Sequence, residues 1–140
     1  MGGVVFDSSL YITALRSGEP AILARRCISA GSLVWLSAVV LEELYAGAGP
    51  QQNRIIGRLE DDFEAVNRLL VPNLSDWTQT GLLLAKLGAK YGYEQAGRAR
   101  LTCDALIAMS AARMGLTVVT ANLRDFGRLA EFRPFSWKSM

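Results

Sequence analysis

One stretch near the C-terminus constrains the fold more than any other, because it joins a helix, a glycine turn and a strand. From Ala105 to Ala112 the residues are small or apolar and favour a helix, Thr102 is a predicted N-cap, and Gly115 suits the positive φ of a helix C-terminus. The β-branched run 117–120 then predicts a short buried strand. A helix followed by such a strand is half of a βαβ unit, so the sequence predicts an α/β fold.

The same stretch carries acidic residues at both ends. A helix of about 13 residues spans roughly 20 Å, and the strand with its loop returns most of that distance. Asp104, near the helix start, is therefore predicted to meet the turn from Asn122 to Asp125. Open α/β folds bind ligands at the carboxyl edge of the sheet, so this edge is the predicted functional site.

The rest of the chain alternates strand-like and helix-like segments. Further predicted strands are 3–6, 33–36, 69–72 and 134–137, and further predicted helices are 10–18, 21–30, 38–46, 51–70, 76–90 and 123–132. Ser37 and Ser75 are predicted N-caps, and 91–100 is predicted to be a loop. No repeat or linker interrupts the pattern, so residues 1–140 are expected to form one domain.

The composition excludes several kinds of chemistry. The chain has no histidine, which excludes Ser-His-Asp triads, histidine-based ribonuclease chemistry and the common zinc hydrolase sites. Cys27 and Cys103 fit neither a disulfide framework nor a CxxC site and are expected to be reduced. No apolar run reaches about 18 residues and no basic signal-peptide region is present, so a cytoplasmic protein without membrane contact is expected.

Four acidic residues are predicted to meet at the carboxyl edge of the sheet: Asp7, Glu43, Asp104 and Asp125. Asp7 follows the first strand, and a glutamate of helix 38–46 can lean back toward the strand ends, although the helical wheel does not separate Glu42 from Glu43. Carboxylates this close repel one another unless a cation neutralises them. Mg²⁺ or Mn²⁺ suits such ligands and can activate water against a phosphodiester without histidine.

Each of these residues also has a purely structural interpretation. Asp7 can be only an N-cap, Asp104 and Asp125 only favourable charges in a first helical turn, and Glu43 only a surface residue. Nearby polar residues can orient water or ligands, or can simply be turn and cap residues; these are Ser8, Ser9, Thr120 and Asn122. The acidic run 60–64 is interpreted as a solvated helix face.

Four segments, in order and at matching spacing, carry a resemblance to a known family. They are VVFDSS at 4–9, SAVVLEELYAG at 37–47, DALIA at 104–108 and VTANLRDF at 119–126. The chain resembles the PIN-domain nucleases, and among them the VapC-type toxins of toxin–antitoxin modules. The resemblance implies a single-domain α/β/α sandwich with a short parallel sheet, and a Mg²⁺- or Mn²⁺-dependent endoribonuclease. It also implies a homodimer that is held inactive by a cognate antitoxin and contacts DNA only through it.

The resemblance also assigns roles within the site. Asp7 and Asp104 are the expected metal ligands, and Glu43 is the second acid because the family glutamate precedes Leu-x-x-Gly. The fourth acid is expected to be Asp125, with Asn122 as a neutral helper, although many relatives carry Asp at the latter position. Four arginines are either candidates for RNA phosphate contacts or simply exposed, solvated residues: Arg98, Arg100, Arg124 and Arg128.

Two other functions remain compatible with the sequence. In one, the acidic pocket mainly receives an arginine of a partner, and the chain is a largely non-catalytic subunit of a DNA-bound regulatory complex. In the other, it is a housekeeping PIN nuclease that processes ribosomal RNA. The leading hypothesis, motivated by the compact length and the four motifs, is a toxin that cuts structured RNA, tRNA or rRNA. The sequence does not identify the target, because such enzymes select loop shape rather than a linear code.

Overall fold

A parallel sheet organises the chain in the computed structural model, which describes residues 2–17 and 33–139. Within these residues the sheet has five strands in the order β3-β2-β1-β4-β5. The strands are β1 (Val4–Phe6), β2 (Val34–Ser37), β3 (Leu69–Leu70), β4 (Thr117–Thr120) and β5 (Trp137–Ser139). The predicted helix 21–30 lies outside the described residues.

Helices connect the strands on both faces of the sheet. In the described part of the chain the α-helices are α1 (Ser8–Arg16), α2 (Ala38–Gly47), α3 (Asn53–Ala65), α4 (Leu74–Tyr91), α5 (Tyr93–Ala96), α6 (Ala99–Arg113) and α7 (Leu123–Phe132), and a 3₁₀ turn covers Pro50–Gln52. Because parallel crossovers are right-handed, α1 to α3 lie on one face and α4 to α7 on the other. Contacts of α2 with α1 and α3, and of α4 with α6 and α7, agree with this arrangement. The predicted α/β/α architecture is confirmed.

The strand order reverses beside β1, and this reversal creates the functional edge. β1 pairs with both β2 and β4, so that Val4 lies opposite Val34 on one side and Thr117 on the other. The chain leaves β1 toward β2 and leaves β4 toward β5, in opposite directions across the sheet. Doubly wound sheets bind their ligands at the crevice that such a switch point opens.

The core is continuous across the sheet and its two helical layers. Val5 in β1 and Val118 in β4 are completely buried, as is Ile107 of α6 and Phe126 of α7. The apolar face of α6 therefore fixes this helix against the sheet, and α6 carries Asp104. No helix among the described residues is both long and apolar enough to cross a membrane.

Several predicted boundaries were wrong at helix starts. α6 begins at Ala99 with Arg98 as the N-cap residue, and the Thr102 hydroxyl lies inside the first turn, where it donates to the Arg98 carbonyl at 3.4 Å. α4 is capped by Asn73 rather than by Ser75. The Asn73 side chain accepts from the Asp76 amide at 2.9 Å, and the Asp76 carboxylate accepts from the Asn73 amide at 3.0 Å. Such a reciprocal capping box is stronger than a single hydroxyl cap.

Other differences concern short elements that periodicity does not resolve. The predicted loop 91–100 contains the single turn α5, which follows Gly92 at a φ of 104°. The predicted helix 51–70 ends at Ala65, because Asn67 adopts a φ of 56° and turns the chain into β3. The predicted strand 134–137 is shifted, since β5 covers residues 137–139 beside β4. The first helix begins at residue 8 rather than 10 and ends at residue 16.

Candidate active site

The four predicted acids come together at the carboxyl edge of the sheet. Asp7 lies directly after β1, Glu43 lies in α2, Asp104 in the second turn of α6 and Asp125 in the first turn of α7. The electrostatic environment of Asp104 contains all three of the others. The two strands that flank the switch point and three different helices therefore build one acidic pocket.

Asp7 is held by hydroxyl groups from two directions. Its carboxylate is 2% exposed, its Oδ1 accepts from Ser9 Oγ at 2.6 Å, and its Oδ2 accepts from Thr120 Oγ1 at 2.5 Å. The backbone N–H of Asn122 donates to Thr120 Oγ1 at 2.8 Å, which fixes the direction of that hydroxyl. Asp7 occupies the N-cap position of α1, but its side chain makes no cap hydrogen bond there.

Asn122 connects the remaining two aspartates. Its side-chain Nδ2 donates to Asp104 Oδ2 at 3.3 Å and to Asp125 Oδ2 at 3.0 Å. Its Oδ1 accepts from the Asp125 backbone N–H at 3.4 Å and caps α7. One amide group thus bridges two buried carboxylates that belong to different helices, α6 and α7.

Glu43, and not Glu42, points into the pocket. Ser8 Oγ donates to Glu43 Oε2 at 3.2 Å, whereas Glu42 is exposed. Glu43 Oε1 is buried and has no hydrogen-bond partner within residues 2–17 and 33–139. Burial raises the pKa of Glu43, the hydrogen bond from Ser8 lowers it, and Glu42 raises it further.

Asp104 has the most strongly shifted carboxyl group of the pocket. Burial raises the pKa of Asp104 to about 8, and the negative charges of Asp7 and Glu43 add to the effect. The nearby Arg100 lowers this pKa, but not enough to cancel the burial and the repulsion. The pocket therefore holds more carboxylate groups than its own donors neutralise.

The predicted arginines occupy different positions. Arg98 Nη2 lies 3.6 Å from Asp125 Oδ1, an ion pair that the sequence did not predict because the two residues are far apart along the chain. Arg100 is exposed and acts electrostatically on Asp104, and Arg124 is exposed on α7. The guanidinium of Arg128 instead stacks on the Tyr91 ring, with its Cζ 4.3 Å from the ring centroid.

The donor set fits a hard divalent cation in its chemistry. Among residues 2–17 and 33–139, no three Asp, Glu, Cys or His side chains converge closely enough to form a complete ion site by themselves. Mg²⁺ commonly takes only one or two protein carboxylates and completes its shell with water and phosphate oxygens. Two observations are compatible with a cation as a further partner of these acids: Glu43 Oε1 is buried without a partner in the described residues, and the pKa of Asp104 is raised by burial and by neighbouring carboxylates.

Cys103 lies beside the pocket, and its thiol is expected to be unreactive. It is a free, half-buried thiol, and burial raises its pKa to about 11, with the charges of Glu43, Glu42 and Asp104 contributing. A thiol with this pKa is almost entirely protonated at neutral pH and is a poor nucleophile. The sequence prediction of a reduced cysteine is confirmed for Cys103, while Cys27 lies outside the described residues.

The fold and the pocket define a doubly wound α/β protein with a histidine-free, carboxylate-lined site at its switch point. The chain belongs to the PIN domain family, whose model matches residues 4–132. PIN domains are generally nucleases, and membership supports a hydrolase activity.

Solved structures with the same fold come from bacterial protein complexes. A chain of the DNA-bound VapBC complex from Salmonella typhimurium is similar at 22% identity and a TM-score of 0.60, with 99% of this chain and 98% of that chain covered. VapBC2 from Rickettsia felis, bound to a promoter DNA fragment, gives 18% identity, a TM-score of 0.66 and coverage of 98% of both chains. VapBC-1 from nontypeable Haemophilus influenzae is similar at 19% identity and a TM-score of 0.59, with 97% of this chain and 96% of that chain covered. No curated protein sequence matches the chain.

Proposed function

We propose that this chain is a Mg²⁺- or Mn²⁺-dependent endoribonuclease, with residues 1–140 acting as one PIN domain, and that it is the toxin of a type II toxin–antitoxin pair. The observation that carries the proposal is the convergence of four carboxylates at the switch point, with the pKa of Asp104 raised to about 8. Membership in a family of nucleases and the absence of histidine from the chain support the same chemistry.

Each pocket residue has a defined part in phosphodiester hydrolysis. Asp7 and Asp104 would hold the divalent ion, which when bound supplies an activated water and stabilises charge on the phosphate. The hydroxyls of Ser9 and Thr120 keep the Asp7 carboxylate in one orientation. In this proposal Glu43, whose Oε1 is buried and without a partner in the described part of the chain, accepts a proton from the attacking water.

The mouth of the pocket suits a polyanionic substrate. Arg98 and Arg100 are exposed on the segment that leads into α6, and Arg124 is exposed on α7. Guanidinium groups beside an acidic, metal-binding pocket can bind the phosphates that flank the scissile bond. The proposed substrate is structured RNA, tRNA or rRNA. Arg128 is a weaker candidate than the other arginines, because its guanidinium already stacks on Tyr91.

The proposed partners follow from the related complexes. The VapBC structures supply a precedent for a protein partner, and two of those named above contain DNA. We propose a cognate antitoxin that blocks the pocket and links the chain to DNA, and a homodimer as the active form.

Cleavage of total RNA by purified, partner-free protein tests the proposal. Discrete fragments are expected with Mg²⁺ or Mn²⁺ and none with EDTA. Asp104→Asn is expected to lower the cleavage rate at least about 100-fold, because a lost metal ligand removes several kcal/mol of transition-state stabilisation. The variants Glu43→Gln and Glu42→Gln form a matched pair, because one removes a carboxylate of the pocket and the other removes its exposed neighbour. Only Glu43→Gln should lose activity. Equal activity of the two variants, or fragments that persist in EDTA, would refute the assignment.

A second candidate is a largely non-catalytic subunit of a DNA-bound regulatory complex. Two observations favour it: related structures are DNA-bound complexes, and the pocket already pairs a carboxylate with a guanidinium in the Arg98 to Asp125 contact. This role requires tight operator binding by the complex together with no RNA cleavage by folded, metal-supplied protein. Metal-dependent cleavage by the chain alone excludes it.

A further inference from the structure

The four carboxylates of the pocket differ in how fully the chain itself engages them. Both oxygens of Asp125 are occupied: Oδ1 faces the Arg98 guanidinium at 3.6 Å, and Oδ2 accepts from Asn122 Nδ2 at 3.0 Å. Asp125 is also 9% exposed. Its negative charge is therefore compensated by an internal cation and an internal amide donor.

The other side of the pocket lacks such a direct contact with a cation in the described residues, and Arg100 acts on Asp104 and Glu43 only through its charge. Glu43 accepts one hydrogen bond, from Ser8, and its second oxygen is buried without a partner in the described residues. Asp104 accepts one hydrogen bond, from Asn122, through Oδ2 only, within the same described part of the chain. Among the described residues, the donors to the Asp7 carboxylate are two hydroxyl groups, which carry no charge and leave lone pairs available on both oxygens. The carboxylate oxygens that no cation of the described residues contacts thus belong to Glu43, Asp104 and Asp7.

Asn122 and Arg98 consequently stand where a second cation would otherwise be needed. Pairs of catalytic ions lie about 4 Å apart, and each needs carboxylate oxygens free of competing donors. The Asn122 amide lies between Asp104 and Asp125, and its two N–H groups point at both. The amide oxygen, the atom through which Asn binds metals, instead accepts from the Asp125 backbone N–H at 3.4 Å.

We propose that Asn122 and Arg98 restrict this pocket to a single divalent ion, bound on the side of Asp7, Glu43 and Asp104. Asp125 then acts as a positioning residue that orients the exposed Arg98. This inference rests on the proposed metal-dependent nuclease and specifies the metal content of the same site.

Counting bound Mn²⁺ on the purified full chain tests the inference without reference to activity. Calorimetry and the electron paramagnetic resonance signal of free Mn²⁺ should both give one ion per chain for the natural sequence. Asn122→Asp removes the bridging donor, adds a carboxylate and preserves the helix cap, because Asp caps a helix as well as Asn. This variant should bind a second Mn²⁺ at least about 10-fold more tightly than the natural chain and show the coupled signal of an ion pair.

Arg98→Gln supplies an independent variant, since Arg98 is exposed and its replacement leaves the core intact. It should also tighten binding of a second ion, whereas Arg124→Gln, which removes an exposed arginine next to Asp125, should leave the count at one. Two ions bound by the natural chain, or a count unchanged by both Asn122→Asp and Arg98→Gln, overturns the inference.

The two levels of the proposal fail in different ways. A natural chain that cleaves RNA but binds two ions overturns the single-ion inference and leaves the nuclease intact. A chain that binds one ion but cleaves no RNA refutes the nuclease while the metal count stands. A chain that cleaves RNA and binds no Mn²⁺ overturns both the ion count and the metal dependence.

Discussion

Replacing Asp104 with Asn should stabilise the metal-free protein while it abolishes activity. Burial raises the pKa of Asp104 to about 8 from an ordinary value of 3.8, so the folded state holds a proton that the unfolded state releases at much lower pH. The folded state is therefore penalised progressively as the pH rises from about 4 to about 8. The introduced amide is uncharged, and its oxygen can still accept from Asn122.

The magnitude follows from the shift. A shift of one pKa unit corresponds to about 1.36 kcal/mol. The raised pKa of Asp104 therefore destabilises the folded state by at most about 4 kcal/mol at pH 7, and by about 1.5 kcal/mol at pH 5, relative to an ordinary value of 3.8. We expect Asp104→Asn to raise the free energy of unfolding by about 2 to 4 kcal/mol at pH 7, and by less at pH 5.

Urea unfolding in EDTA at both pH values measures this difference directly. Added divalent cation should shrink or reverse the stability difference between the variant and the natural chain, because an ion that binds only the folded natural chain stabilises that chain alone. The reasoning would be refuted by a variant that is no more stable than the natural chain at pH 7, or by a stability difference that does not grow from pH 5 to pH 7. Either result would show that folding does not raise the pKa of Asp104.

Three further predictions use other parts of the structure. Arg113→Ala should lower the free energy of unfolding by about 2 to 4 kcal/mol, because it leaves the buried Asp76 carboxylate without the cation that contacts it at 3.0 Å. In the same urea titration, the exposed control Arg133→Ala should change the free energy of unfolding by less than about 0.5 kcal/mol. A single 2′-deoxy substitution at the scissile nucleotide should leave RNA cleavage within about 10-fold, because water rather than the 2′-hydroxyl is the nucleophile; complete loss of cleavage on a gel would contradict water attack. Cys103, whose pKa burial raises to about 11, should react with iodoacetamide at pH 8 roughly 100-fold more slowly than in the urea-unfolded chain, and equal rates by mass spectrometry would contradict its assigned environment.

Local sequence signals predicted most of the elements that position the pocket. Ser37 caps α2 as expected, its hydroxyl accepting from the Val39 amide at 3.1 Å, and α7 covers the predicted residues 123–132. These elements are set by periodicity and by short-range hydrogen bonds, which neighbouring residues determine. The single turn α5 was not predicted, because one helical turn is too short to show a hydrophobic period. It also follows Gly92, and a glycine in the sequence allows a positive φ without requiring it.

The sequence by itself determined the α/β class, the absence of histidine chemistry and the positions of acids at the ends of strands and helices. Neighbouring residues are enough to fix these properties. Only the tertiary structure decided that Glu43 rather than Glu42 enters the pocket, because the two lie side by side on α2 and packing chooses between them. It also decided that Asn122 bridges Asp104 and Asp125, and that Arg98 pairs with Asp125. These contacts join separate helices, and their existence depends on the strand order that brings β1 and β4 together, which no local pattern encodes.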